Sequence, residues 1–186
     1  MKVPRGPYAA MDPSRRHRLT GRAVAAVVGA SGVMVAVAKP MRDGGHDIVP
    51  FEVAGDAATV DRIIDDWGPA GVRAARLQTS LDMGYLALYA VATAAGCATV
   101  AAAARRNGHG AVAAAGDVLG WASFVAAGCD AVENASLLAE LSGARGPLPR
   151  LARTCALTKF SLIVPAVAYS VGGLGALGVA RARGGG

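Results

Sequence analysis

Apolar residues along the chain gather into four long blocks, Ala23 to Ala38, Leu81 to Ala104, Gly110 to Leu138 and Thr154 to Ala180, separated by segments that hold most of the charge. A helix crosses the hydrocarbon core with roughly 20 mostly apolar residues, so each block predicts one membrane-spanning helix. The first holds only 16 uncharged residues, but Arg22 and Lys39 at its ends reach the interfaces by snorkelling. The expected spans are about 22–39, 81–104, 110–138 and 154–180.

A different period appears between the first two blocks. After Gly55-Asp56, an N-cap pair, the segment AATVDRIIDDWG places Val60, Ile63, Ile64 and Trp67 at i, i+3, i+4 and i+7, and Gly68 ends the pattern. Pro69 starts a further helix that runs through VRAARLQTS into the second span. These amphipathic helices, about 57–80, are expected to cap the outer mouth of the bundle, with Trp67 at the membrane surface. The predicted fold class is all-α: an integral membrane four-helix bundle with an external amphipathic helical cap. A basic, flexible cytoplasmic tail over 1–20 precedes a single four-span domain at 21–182, and residues 183–186 form a flexible C-terminus.

Composition agrees with the pattern. The 186 residues are 53% hydrophobic and 17% charged, with mean hydropathy +0.39, too apolar for an ordinary soluble domain. Lys2, Arg5, Arg15, Arg16, Arg18 and Arg22 precede the first span, Arg105-Arg106 joins the second to the third, and Arg181 and Arg183 follow the fourth. The positive-inside rule makes these segments cytoplasmic, so both termini are expected inside a multi-pass cell-membrane protein. The segment assigned outside after the first span is acidic, although Arg145, Arg150 and Arg153 lie in the second external one. Basic residues flank spans without an interleaved aromatic platform, which excludes nucleic acid as a partner. A competing reading treats Ser14-Arg15-Arg16 and Ala36-Val37-Ala38 as a twin-arginine signal with its cleavage site. Cys97, Cys129 and Cys155 are odd in number and form no CxxC, and they read as small buried residues.

Polar residues inside the spans carry the chemistry. At about 1.5 Å per residue, Asp82, Tyr85 and Tyr89 on the second span, Asp130, Glu133 and Asn134 on the third, and Lys159 on the fourth fall at one depth, in the outer third. Asp117 lies elsewhere. A charged side chain at a helix centre costs roughly 2.5–3.5 kcal/mol, and relief comes from protonation, from pairing with Lys159, or from a hydrated pocket. Asp130 and Glu133, one turn apart, repel if both ionise. The plain alternative is a buried polar network that fixes helix register. The functional reading is a neutral carboxylic acid acting as general acid in a cavity lined by Trp67, Tyr85, Tyr89, Trp121 and Phe124, whose faces stabilise a carbocation. Glu52 lies near the mouth as a rival acid.

The order Phe51-Glu52, IIDDWG, Leu81-Asp82 with Tyr85 and Tyr89, Asp130-x-x-Glu133-Asn134 and Thr158-Lys159-Phe160 resembles a family of small four-span bacterial membrane proteins. Within that group the chain is similar to the small membrane-bound terpene cyclases of actinobacterial indole-sesquiterpenoid and diketopiperazine-terpenoid pathways. The resemblance covers Phe51 to about Tyr169 and implies protonation of a terminal alkene or epoxide on a prenylated lipophilic substrate. Chemistry and depth, and not alignment, select Asp130, Glu133 and Glu52 as catalytic acids, with Asn134, Lys159 and Asp82 in support.

Other chemistries find little footing. Asp61, Asp65 and Asp66 are a weak match to a diphosphate-binding DDxxD and read as a solvated helix face. No phosphate loop, HExxH or G-x-S-x-G occurs, and His17, His46 and His109 lie in loops or the tail. No metal and no cofactor are expected. The non-enzyme reading is a proton-coupled carrier or a subunit of a larger complex. Gly29-x-x-Gly32 and the Gly172, Gly175, Gly178 series offer close contact within the bundle or in a homo-oligomer, and Pro165 is expected to kink the fourth span.

Overall fold

The computed structural model describes residues 4–184. Lys2, in the basic segment, and Gly185-Gly186, in the expected C-terminal tail, lie outside them. The helices are α1 Pro13–Val37, α2 Lys39–Asp43, α3 Ile48–Glu52, α4 Ala57–Arg106, α5 Gly110–Leu141 and α6 Leu148–Gly184, and the described residues contain no strand. The protein is an all-α bundle with four helical stretches long and apolar enough to cross a membrane: Pro13–Asp43, Ala57–Arg106, Gly110–Leu141 and Leu148–Val179. Each exceeds its apolar block because helix continues into the polar flanks.

The chain forms two compact units. The first comprises residues 1–26, 88–126 and 160–186, and the second 27–87 and 127–159. The first unit is held by small residues. Ala94, Ala95, Ala98, Ala101 and Ala113 are buried, and a Cβ at Gly96 or Gly173 would collide with Ser170 or Val100. Where lipid replaces water there is no hydrophobic drive between helices, so close backbone approach of this kind supplies the packing. Gly172, Gly175 and Gly178 meet nothing within 4 Å; Gly173, one position out of that series, makes the contact. Gly29 and Gly32, in the second unit, are equally open. Helix α6 continues through Pro165.

The N-terminal segment differs from the expected tail. Residues 13–20 belong to α1, with Arg16 and Thr20 buried. Ahead of them, residues 5–8 lie along α5: Gly6 N donates to Asp117 Oδ1 at 3.0 Å, and Trp121 Nε1 donates to Arg5 O at 3.1 Å. Tyr8 meets Phe124 at 6.4 Å between ring centroids, while Pro7 lies against Gly120. Positions 117, 120, 121 and 124 share one face of α5. A segment rich in proline and glycine has no helical period, so nothing in its pattern announces this strap.

The second unit has a core of larger side chains. Met41, Phe51, Val60, Ile63, Trp67, Leu137 and Leu141 are buried together. Asp56 caps the start of α4, accepting from Thr59 N and Thr59 Oγ1 at 2.9 Å each. The amphipathic stripe lies as its spacing predicts, with Val60, Ile63 and Trp67 inside and Asp61, Asp65 and Asp66 exposed. At Gly68 the backbone leaves helical geometry, φ 56° and ψ −173°, a region open essentially to glycine. With Pro69 next, α4 is two helices meeting at a kink. Trp67, expected at the membrane surface, packs into this core. It is 4% exposed, tilted against Phe51 at 5.1 Å, and its Nε1 donates to His46 O at 2.9 Å.

Candidate functional site

The second unit also holds the polar cluster. Lys159, from α6, donates from Nζ to Asp130 Oδ1 at 3.0 Å and to Glu133 Oε1 at 2.9 Å, both on α5. Glu52, at the end of α3, brings Oε2 to 3.7 Å from the same ammonium. Asn134 Nδ2 donates to Asp82 Oδ2 on α4 at 2.8 Å. Asp130, Glu133 and Asn134 follow one another at i, i+3 and i+4, which places them on one face of α5. The carboxyls and the amine predicted from depth therefore meet.

The cluster is closed off from solvent. Side-chain exposure is 9% at Lys159, 3% at Asp130, 0% at Glu133 and 12% at Glu52. Lys159 is the buried basic side chain of this unit among the described residues, and three carboxyls lie within 3.7 Å of its Nζ. One ammonium cannot balance three carboxylates in a medium of low dielectric. The Glu52 and Glu133 carboxyls are within hydrogen-bonding reach of one another, yet carboxylates only accept. Glu52 Oε2 and Glu133 Oε2 are accordingly buried without a donor, and a proton on either carboxyl would supply one. Burial pushes the Glu52 carboxyl above the usual carboxylate range, with the Lys159 ammonium pulling the other way.

The aromatics expected to line a cavity are divided between the two units. Trp67 belongs to the apolar core, and Tyr85 shares a hydrogen bond of 2.9 Å with Ser31 Oγ. Tyr89, Trp121 and Phe124 belong to the other unit. The described contacts of Trp121 and Phe124 are with each other and with Arg5 and Tyr8. An open apolar groove of about 380 Å³ does occur in the second unit, lined by Ala131, Val132, Ala135, Ser136, Leu148 and Leu151. No member of the polar cluster lines it.

Sequence reasoning overlooked Glu140. It is fully buried, and neither carboxyl oxygen has a hydrogen-bond partner. The readable signal is its position seven residues after Glu133, two turns along the same face. Arg145 also has a definite place: Nε donates to Asp61 Oδ1 at 2.9 Å and Nη1 to Glu140 O at 2.6 Å. Its charge is thus committed to an acidic helix face and a helix end.

Comparison with protein-family models, curated proteins and solved structures finds no match to this chain.

Proposed function

We propose that this chain is a multi-pass cell-membrane enzyme, both termini cytoplasmic, that protonates an alkene or epoxide of a prenylated lipophilic substrate and guides its cyclisation without a metal. The observation that carries the proposal is the surplus of carboxyls around one ammonium, with Glu52 and Glu133 facing each other. Such a pair is best satisfied when it holds a proton. A neutral carboxylic acid in an apolar site is a competent general acid.

The groups then divide by role. Lys159 holds Asp130 and Glu133 directly and Glu52 at longer range, so Glu52 is the acid least committed to the ion pair. It also sits on α3, outside the spanning stretches. With an alkene, a terminal C=C bond takes the Glu52 proton to form a C–H bond and a carbocation; with an epoxide the proton goes to the ring oxygen as a C–O bond breaks, leaving a hydroxyl. Each ring closure turns a further C=C pair into a C–C bond, and loss of a proton from carbon returns one C=C bond and restores the acid. The net change is isomerisation. The resemblance of Phe51 to Tyr169 to membrane-bound terpene cyclases supports the choice of substrate. In this reading the partners are the bilayer, the prenylated substrate and a second copy meeting through the open glycine faces.

Membranes containing the protein, incubated with prenylated indoles or diketopiperazines or their epoxides in D2O, should yield cyclic products unaffected by EDTA, the alkene substrates gaining one solvent deuterium on carbon and the epoxides a hydroxyl. Glu52→Gln should lower the rate by about 100-fold or more. No product from any candidate, or activity lost to chelation, counts against the reading. The closed state of the cluster favours a second reading, a proton-binding carrier or partner subunit. Proton flux in proteoliposomes, or co-purification with a fixed partner, would select that one.

A further inference from the structure

Five side chains in the second unit carry buried oxygens without a hydrogen-bond partner: Glu52, Glu133, Glu140, Gln78 and Thr79. Glu133 and Glu140 are 0% exposed, Thr79 2% and Gln78 9%. Buried acceptors left in this way cost free energy unless a proton or an ordered water serves them.

Their register places four of them along one line. Asp82 on α4 accepts from Asn134 on α5, and six residues earlier Arg76 donates to Leu141 O at 2.5 Å. The two helices therefore run antiparallel over this interval. Gln78 and Thr79 fall between those two contacts, at the level between Glu133 and Glu140. Along α5 those two acids are about 10 Å apart, too far for direct contact and a short distance for a hydrated step. The line begins beside solvent-facing charge: Arg145 bonds Glu140 O and Asp61, and Arg76 holds Leu141 O. It ends at Glu133, Glu52 and Lys159.

We infer that Glu140, Thr79, Gln78 and Glu133 form a buried proton path, and that Glu140 is the group through which the Lys159 cluster exchanges protons with water. The inference rests on the reading that the cluster holds a proton. Glu140 takes a proton from water at the α5 end, ordered waters on Thr79 Oγ1 and Gln78 Oε1 carry it inward, and the Glu133–Glu52 pair receives it. Every transfer is a proton exchanged between oxygen atoms, so no oxidant or co-reactant enters.

Infrared difference spectroscopy on the full chain in liposomes reads the protonated-carboxyl stretch of the cluster, assigned by its loss in Glu52→Gln. After a rapid switch from H2O to D2O, the wild-type band shifts at a rate that measures exchange. Glu140→Gln should leave the amplitude of the band unchanged and slow the shift by about tenfold or more, because the proton must then cross an apolar gap. An unchanged rate overturns the path. If Glu140→Gln does not fold, Thr79→Val, which removes one relay oxygen at constant shape, decides by the same criterion. A missing wild-type band overturns the proton-holding reading and the path together. A band with slowed exchange in the variant, but no cyclised product, leaves the path standing and removes only the proposed chemistry.

Discussion

Lys159 decides whether its surroundings can stay ionised. Replacing it with methionine keeps the stem and removes the charge, leaving Asp130 and Glu133 without the ammonium that binds them at 3.0 and 2.9 Å. Breaking a buried pair from one side costs about 3–5 kcal/mol, so Lys159→Met should lower the unfolding midpoint in detergent sharply, and an unchanged midpoint would show that the ammonium does not hold the cluster. Glu52 gives a pH dependence. Burial raises its carboxyl in the folded chain, so its contribution to stability is fully present below the unfolded-state value and disappears as pH rises through the folded one. Thermal unfolding of Glu52→Gln should accordingly lose part of the wild-type decline with rising pH. An identical pH slope in the two proteins would show that Glu52 is not the titrating group. Lys159, Asp130 and Glu133 are legible in the sequence, because polar side chains inside apolar blocks stand out and residue counting gives their depth; Glu52, outside those blocks, is marked only by lying near the expected outer mouth. Glu140 is not legible, since a lone acid near a helix end looks solvated until its neighbours cover it.

Among the elements, α4 shows how far local pattern reaches. The spacing of Val60, Ile63 and Trp67 and the stop at Gly68 followed from side-chain period and backbone chemistry alone, and the structure has both. The close enclosure of Trp67 did not follow. It depends on two glycines, Gly44 and Gly71, where a Cβ would come within 2.9 Å of Trp67 Cα and 2.7 Å of Trp67 Cβ respectively, and on α3 supplying Phe51. Such contacts join segments that no periodicity relates. At the kink itself, Gly68→Ala puts a side chain into a conformation reserved for glycine, at a cost of about 1–3 kcal/mol. Its unfolding midpoint should fall accordingly, while Pro69→Ala, which leaves Gly68 in place, should change it less. A fully stable Gly68→Ala protein would mean that α4 can straighten there.

For the whole molecule, four helices long and apolar enough to span a membrane were readable from composition, because hydrocarbon thickness dictates that length and apolarity. The strap over 5–8 was unreadable, because its hydrogen bonds join residues 111 and 116 positions apart. Gly6→Ala tests it directly. The added Cβ would lie 2.9 Å from Asp117 Cα, displacing the segment, and trypsin should cut at Arg5 about fivefold faster or more in detergent-solubilised protein. Equal cleavage rates would show that the strap is held elsewhere. Order of synthesis adds a consequence. Asp117 and Trp121 are made more than a hundred residues after their partners Gly6 and Arg5, at translation speeds of about 5–20 residues per second. The strap therefore waits several seconds, undocked, until its α5 partners are made, and its seating cannot precede the third of the four long apolar helices.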